Sequence, residues 1–362
     1  MKDAFRILAI NPGSTSTKIS VFEDEREVCA VKLSHSVEDL APFDRIVDQY
    51  EFRREVIVSE LAKAGFPVSS FDAVVGRGGV LYPLEGGTYA INETMLDHVR
   101  RGVQGEHPSN LGALIADSFS READCPAFIV DPVVVDEMMP LARYSGLPQL
   151  PRRSILHALN QRAVARQACL DAGIDYDRAR LIVTHLGGGI SVGAHCEGRI
   201  IDVNNALNGD GPFSPERSGG LPVGDLIALC FSGRYTLDQL KKLNKGSGGL
   251  VAYLGINDMR EANRRAKAGD EEAGRVYQAM AYQVSKEIAS LSAVLEGRID
   301  MIILTGGIAY DEDFTSLVRN RVGFLAPVRI YPGEMEMQAL ALGGLRVLRG
   351  LEQPRSYSPA VS

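Results

Sequence analysis

No stretch of the 362-residue chain approaches the roughly 20 consecutive apolar residues that a membrane span requires. Basic residues are not in excess: 39 lysines and arginines stand against 46 aspartates and glutamates, a formal charge of −7. A nucleic-acid or membrane-surface partner would demand a concentrated basic face, so neither is expected. The five cysteines, Cys29, Cys125, Cys169, Cys196 and Cys230, are odd in number and widely spaced, and offer neither a disulfide framework nor a zinc site. The opening MKDAFRILAI carries no signal-peptide pattern, and a reduced cytoplasm is the expected compartment. Also missing are the GxxxxGK[ST] phosphate loop, any His/Cys metal cluster and a Ser-His-Asp order.

Glycine is abundant. The chain has 37, about a tenth of its residues against a usual share of about 7%. At about 100–200 residues per domain, the length predicts two domains or one large α/β unit. Apolar runs predict strands over 6–11, 18–23, 71–76, 127–131, 180–186, 190–196, 200–203 and 300–304, the first two forming a hairpin around PGSTST. A helix is predicted from the cap Ser154 to Ala172, ended by Gly173, and another over 273–295, where Val276, Met280, Val284, Ile288 and Leu291 share a face. Strands first paired, then alternating with helices, predict a mixed sheet covered by helices. The chain also repeats itself. FDAVVGRGGV at 71–80 aligns without a gap on IDMIILTGGI at 299–308, and each copy is preceded by an Ile-Ser-Val strand after a polar or glycine turn. The shared order predicts a duplicated domain with an insertion in the second copy.

Three turns can hold an anion. Asn11-Pro12-Gly13-Ser14-Thr15-Ser16-Thr17-Lys18 offers hydroxyls, backbone N–H groups and one ammonium; a polar surface hairpin is the plain alternative. His185-Leu186-Gly187-Gly188-Gly189 removes side-chain obstruction and permits positive φ, allowing close backbone approach to a ligand. Thr305-Gly306-Gly307-Ile308 ends a strand and can accommodate a base or phosphate. Around them, Arg77 and Arg217 can pair bidentately with phosphate or carboxylate, and His107 opens HPSN. Asp131 and Glu334 can position Mg²⁺ through water. Each feature alone is more often structural, but three turns in one chain point to a nucleotide held between two lobes.

In order along the chain stand NPGSTSTK, VVGRGG, HPSN, DPVVVDEMMP, PRRSILHALNQ, HLGGGISVGA, ERSGG, LNKGSGGL, NDMRE, TGGI and PGEMEMQALALGG. This set resembles the acetate/butyrate kinase family, within the actin, Hsp70 and hexokinase superfamily, over essentially the whole chain. The resemblance implies an α/β fold of duplicated ribonuclease H-like (actin-like ATPase) βββαβαβα domains with an interdomain active-site cleft. Domain I would comprise residues 1–132 plus 334–362, and domain II residues 133–333. It implies reversible phosphoryl transfer from ATP to a short-chain carboxylate with Mg²⁺, in a homodimer or higher homo-oligomer. Asn11, Ser14, Ser16 and Lys18 match the first phosphate loop, and His185 with Gly187, Gly188 and Gly189 the second. Thr305, Gly306, Gly307 and Ile308 fall on the adenosine-binding segment. Arg217 matches the RSG arginine, Asp131 the aspartate after the fourth core strand, and Glu334 the Mg²⁺-associated glutamate. His107 and Arg77 are the expected substrate contacts, although acetate kinases carry their arginine a few positions earlier, where this chain has Val74. HLGGG in place of the asparagine-containing form, and TGGI without the acidic-Asn pair, favour the butyrate branch.

A carboxylic acid with a pKa near that of Glu, about 4.3, is already ionised at neutral pH and needs no base. The task is to bring it to the more negative γ-phosphate, which calls for in-line positioning by cations and oriented donors. Acetate, propionate or a branched acid are alternative substrates, since one methylene changes discrimination by only about 1–3 kcal/mol. An actin-like nucleotide-driven conformational protein is the non-enzymatic alternative, against which the retention of Arg217 and His185 argues.

Overall fold

The computed structural model describes residues 4–358. Contacts divide the chain into two units: one runs to Val135 and resumes at Met335, the other spans Asp136–Glu334.

In the first unit, β1 (Arg6–Pro12) and β2 (Ser16–Glu23) form the expected antiparallel hairpin, with Ile10 opposite Ile19. β3 (Arg26–Ser34) extends it and was not expected. REVCAVKLS lies on the sheet edge with only Leu33 buried, so it lacks the apolar run by which a strand is recognised. β4 (Ala73–Arg77) pairs parallel with β1, and β6 (Ala127–Val130) parallel with β4; the short β5 (Thr88–Ala90) runs antiparallel to β6.

The second unit repeats the plan. β7 (Arg180–Leu186), β8 (Ile190–Cys196) and β9 (Arg199–Val203) are antiparallel, while β10 (Met301–Gly306) pairs parallel with β7 and β11 (Val328–Pro332) with β10. Its sheet order is β11-β10-β7-β8-β9. The chain then returns to the first unit through helix Glu336–Leu348 and β12 (Arg355–Ser356), giving the order β12-β5-β6-β4-β1-β2-β3. The duplication extends to single hydrogen bonds. Asp72 Oδ2 accepts from the Arg6 N–H at 2.7 Å, and Asp300 Oδ2 accepts from the Arg180 N–H at 2.7 Å, each fixing the register of a parallel pair at its start.

Helix Glu271–Val294 begins at Asp270, whose carboxylate accepts from the Ala273 N–H, and buries Val276, Met280, Val284 and Ile288 against β7 and β8. The helix expected from Ser154 starts later, at Ala158, and ends at Gly173 with φ +68°. Ser154 is not its cap. Residues up to His157 stay out of the helix, and His157 is bonded to Ser191 on β8 instead. Among the described residues no helix is long and apolar enough to cross a membrane.

Candidate active site

The first loop is the tip of the β1–β2 hairpin. Asn11 is buried at the end of β1, where its Nδ2 donates to Glu336 Oε2 at 2.8 Å. Arg77 closes β4 and donates from one guanidinium nitrogen to Asn11 Oδ1 at 3.2 Å and to Glu336 at 2.9 Å. Ser14 and Thr15 are exposed, while Ser16 and Lys18 are half-buried. Beneath the tip lies Arg53, wholly buried in helix Tyr50–Lys63. Its guanidinium donates to the carbonyls of Gly13 (2.9 Å), Ser14 (3.2 Å) and Ser16 (3.2 Å), to Thr17 Oγ1 (3.0 Å) and to Gln49 Oε1 (2.8 Å). Burial pulls its pKa down to about 10, so it keeps its charge at neutral pH. The loop therefore has its carbonyls drawn inward onto a cation, and its serine and threonine tips turned to solvent.

Asp131 follows β6 directly in a left-handed backbone, φ +39°, and its buried carboxylate accepts from the Gly87 N–H at 2.7 Å. His107 is exposed before helix Asn110–Ala123, and its Nδ1 lies 2.8 Å from Ser109 Oγ. Gly78 and Gly79 owe their lack of side chain to packing within the unit, because a Cβ would press on Pro132 or Asn110.

In the second unit the turn between β7 and β8 carries His185 at its mouth: a Cβ on Gly187 would stand 3.0 Å from His185 Nε2. Asn160 Nδ2 can only donate, and it does so to His185 Nδ1 at 2.9 Å, so the proton of the neutral ring sits on Nε2. His157 stacks on His185 with centroids 3.8 Å apart and planes 7° from parallel. Ser191 Oγ accepts from Gln161 Nε2 at 2.8 Å and lies 2.9 Å from His157 Nδ1. Thus two neighbouring imidazoles have Nδ1 occupied, and His185 presents Nε2–H as a donor. Glu334 Oε1 lies 3.8 Å from His185 Nε2.

Arg217 reaches the same turn. Its side chain occupies the space a Cβ on Gly189 would need, and it donates to the Ala206 carbonyl. Burial draws its pKa below the usual arginine range, and the guanidinium remains charged. None of Gly187, Gly188 and Gly189 adopts the positive φ expected of them; that conformation falls on Gly306 (φ +92°) and Gly333 (φ +90°), where β10 is bridged to the chain after β11. The three glycines instead clear space beside His185, Arg217 and an adjoining cavity.

That cavity, about 880 Å³, is lined among others by Gly187, Gly188, Met259, Gly307, Ile308 and Tyr310. Thr305 and Gly306 do not line it: Thr305 is buried and donates to the Gly333 carbonyl at 3.1 Å, and Gly306 lies against the Leu186 backbone. Arg53, Glu336, His157 and Asn160 were not singled out in the sequence. Glu336 had a signal, as the first acidic residue of the apolar helix after PGEM; His157 and Asn160 lay inside the quoted PRRSILHALNQ. Arg53 had none, being one charge among several in YEFRRE.

A sequence model of the acetokinase family matches residues 149–329. The chain is 54% identical over 353 residues to butyrate kinase 2 of Clostridium acetobutylicum, covering 98% of this chain and 99% of that protein. It is 52% identical to butyrate kinase 1 of the same organism with the same coverage. Among solved structures it resembles an acetate kinase of Porphyromonas gingivalis with a TM-score of 0.75 at 20% identity, over 92% of this chain and 98% of that one. The structural likeness bears on the fold, the duplicated actin-like ATPase architecture.

Proposed function

The chain belongs to the acetokinase family, and from that premise we propose that it transfers the γ-phosphoryl group of ATP reversibly to butyrate, giving butanoyl phosphate and ADP. It is a carboxyl-group phosphotransferase; the whole-chain identity to two butyrate kinases supports the choice of acid. The observation that carries the chemistry is the second glycine turn, where His185, Arg217 and a cavity of about 880 Å³ meet at Gly187, Gly188 and Gly189.

The acid arrives ionised, so the site has charge to stabilise rather than a proton to remove. Arg217 and the Nε2–H of His185 bind equatorial oxygens of the transferring phosphoryl group, and His157 backs His185 by stacking on it. Asn160 holds the His185 ring as a donor, so no reorganisation is needed as charge develops. Adenosine occupies the cavity beside Gly307 and Ile308. Asn11, Ser14, Ser16 and Lys18 serve phosphate oxygens, with Arg53 fixing their loop. Arg77 orients the acyl carboxylate, His107 contacts the acid, and Asp131 completes the catalytic set.

Among the described residues no cluster of three or more His, Cys, Asp or Glu side chains forms a metal cage. Mg²⁺ fits this donor set as an ion carried by nucleotide phosphates and water, with Asp131 and Glu334 holding its water shell; bound there it would neutralise charge on the phosphates. Glu336 is the alternative carboxylate, but its oxygens already receive Asn11 and Arg77. The five unbonded cysteines support a cytoplasmic setting, and the enzyme works as a homodimer or higher homo-oligomer.

A hydroxamate trap with ATP, Mg²⁺ and a C2 to C5 acid panel tests the reading. Butyrate should lead the series, and Arg217→Ala should lower kcat by about a hundredfold or more, the equivalent of about 3 kcal/mol of transition-state charge. No acyl phosphate from any acid would return the chain to a nucleotide-driven conformational protein. A kcat within tenfold of wild type would remove Arg217 from the transition state.

A further inference from the structure

The turn between β1 and β2 has four successive carbonyls tied down from within its own unit. The Arg53 guanidinium donates to those of Gly13, Ser14 and Ser16, the His35 N–H donates to that of Thr15 at 2.8 Å, and the Gly13 N–H closes on that of Ser16 at 2.7 Å. In a planar trans peptide the N–H points opposite to the carbonyl, so drawing the Gly13 and Ser14 carbonyls inward turns the Ser14 and Thr15 N–H groups out. Neither donates to an acceptor among the described residues, and both residues are exposed. Successive outward N–H groups flanked by hydroxyls form a concavity suited to an anion.

Arg53 cannot itself touch what binds there. Its Nε and one terminal nitrogen both donate to Gln49 Oε1, at 3.1 and 2.8 Å, and the other terminal nitrogen also meets Thr17 Oγ1 at 3.0 Å, so all three nitrogens are engaged below the turn. Its charge is less well provided for. A buried cation without a counter-ion is costly, and such charges are ordinarily paired. Arg53 is wholly buried, yet among the described residues no carboxylate pairs with it, and burial lowers its pKa with no neighbouring charge opposing the shift. The place for a carboxylate exists. Gln49 stands four residues before Arg53, at the residue preceding helix Tyr50–Lys63, and accepts the two N–H groups with which an arginine grips a carboxylate side-on. A glutamate there would also be favoured by the positive end of the helix. The chain has a neutral amide instead. His35, across Thr17, has its pKa held below the ordinary histidine value by burial and by Arg53, and adds no charge at neutral pH.

We propose that the counter-ion of Arg53 is the phosphate that the first loop binds. Arg53 is a positioning residue with two effects: it aims the Ser14 and Thr15 N–H groups outward through their carbonyls, and its uncompensated charge draws a polyanionic phosphate to them. That this phosphate belongs to ATP rests on the proposed function; that the loop takes phosphate does not.

Gln49→Glu tests the charge without disturbing the guanidinium. It supplies the missing carboxylate to an arginine that stays in place, so Tm should hold or rise while affinity for phosphate falls. Isothermal titration of the full chain with inorganic tripolyphosphate, ATP and adenosine reads the effect. Gln49→Glu should weaken tripolyphosphate and ATP by about tenfold or more, and Arg53→Met at least as much; adenosine, which brings no phosphate, should bind equally to all three proteins. In steady state, KM for ATP should rise by a similar factor in Gln49→Glu with kcat within about threefold, because the bound groups carry the same total charge throughout transfer. Undiminished phosphate affinity in Gln49→Glu, or an equal loss for adenosine, would overturn the proposal, as would a wild type that does not bind tripolyphosphate. Tripolyphosphate affinity that falls as expected in a chain forming no acyl phosphate would uphold the charge beneath the loop and remove the kinase reading instead.

Discussion

Gly188 and Gly189 are adjacent in one turn, yet a methyl group means different things at each. A Cβ on Gly188 meets nothing closer than the Glu216 carboxylate at 3.9 Å, in a wall of the large cavity; a Cβ on Gly189 collides with the Arg217 guanidinium. Neither residue has a left-handed backbone, so alanine can adopt both conformations. Gly188→Ala should leave Tm within a degree or two and raise KM for ATP by about tenfold, since it removes room for the nucleotide rather than for the fold. Gly189→Ala should displace Arg217 and lower kcat by about a hundredfold, with a smaller change in KM. Steady-state kinetics beside thermal melts separates the two, and unchanged kinetics in both variants would reduce the turn to scaffold. The excess of glycine in the sequence pointed to this turn but could not distinguish it from Gly78-Gly79, which packs against Pro132 and Asn110. A glycine in sequence reports that space is needed and not what fills it.

At the scale of elements, the apolar runs of β1, β2, β7, β8 and β10 were legible because most residues on both faces of those strands are buried, so burial is written into a continuous run. The edge strands β3 and β11 and the late start of helix Ala158–Ala172 were not. Those depend on partners distant in sequence, and periodicity records burial without naming the partner. The same helix shows what was hidden. It places Asn160 against His185, and the adjoining Gln161 against Ser191 on one side and His195 on the other. His195 is wholly buried, bonded also to the Tyr176 hydroxyl at 3.0 Å, and burial with Arg162 nearby lowers its pKa to about 3. The native state therefore holds His195 neutral while the unfolded chain takes up a proton near pH 6.5. Its contribution to stability is complete above that value and is lost as pH falls toward 3, amounting to about 2 kcal/mol between pH 7 and pH 5. Burial holds the Asp202 and Glu287 carboxyls above their ordinary range, which acts with the opposite sign. The informative quantity is thus the difference between wild type and His195→Gln in urea unfolding. That difference should shrink by about 2 kcal/mol on acidification over this interval; a difference independent of pH would show that His195 does not govern the slope.

The whole chain is a duplication in which only the first copy is finished from outside itself. The duplication was visible in the aligned Asp72 and Asp300, which make the same hydrogen bond in the two sheets. The return of residues after Met335 to the first unit followed from the family resemblance and not from any local pattern, since an apolar helix in sequence does not say which sheet it covers. Helix Glu336–Leu348 buries Leu340 and Leu345 and brings Gly343 and Gly344 onto Val130 and Val75, where larger residues would not fit. Glu352 then accepts from the Thr88 N–H at 2.7 Å, and Glu336 receives Asn11 and Arg77. The two leucines alone contribute about 3–6 kcal/mol of apolar burial, comparable with the whole stability of an ordinary domain, about 5–15 kcal/mol. The second unit takes none of its strands from this segment, because β7 to β11 all lie between Asp136 and Glu334. A chain ended at Glu334 should therefore lose the first unit and keep the second. Calorimetry should show a surviving cooperative transition, and limited proteolysis should degrade the residues before Val135 while protecting a fragment corresponding to Asp136–Glu334. Resistance of the whole truncated chain would mean that the returning helix is dispensable, and loss of both units together would mean that the second does not stand without the first.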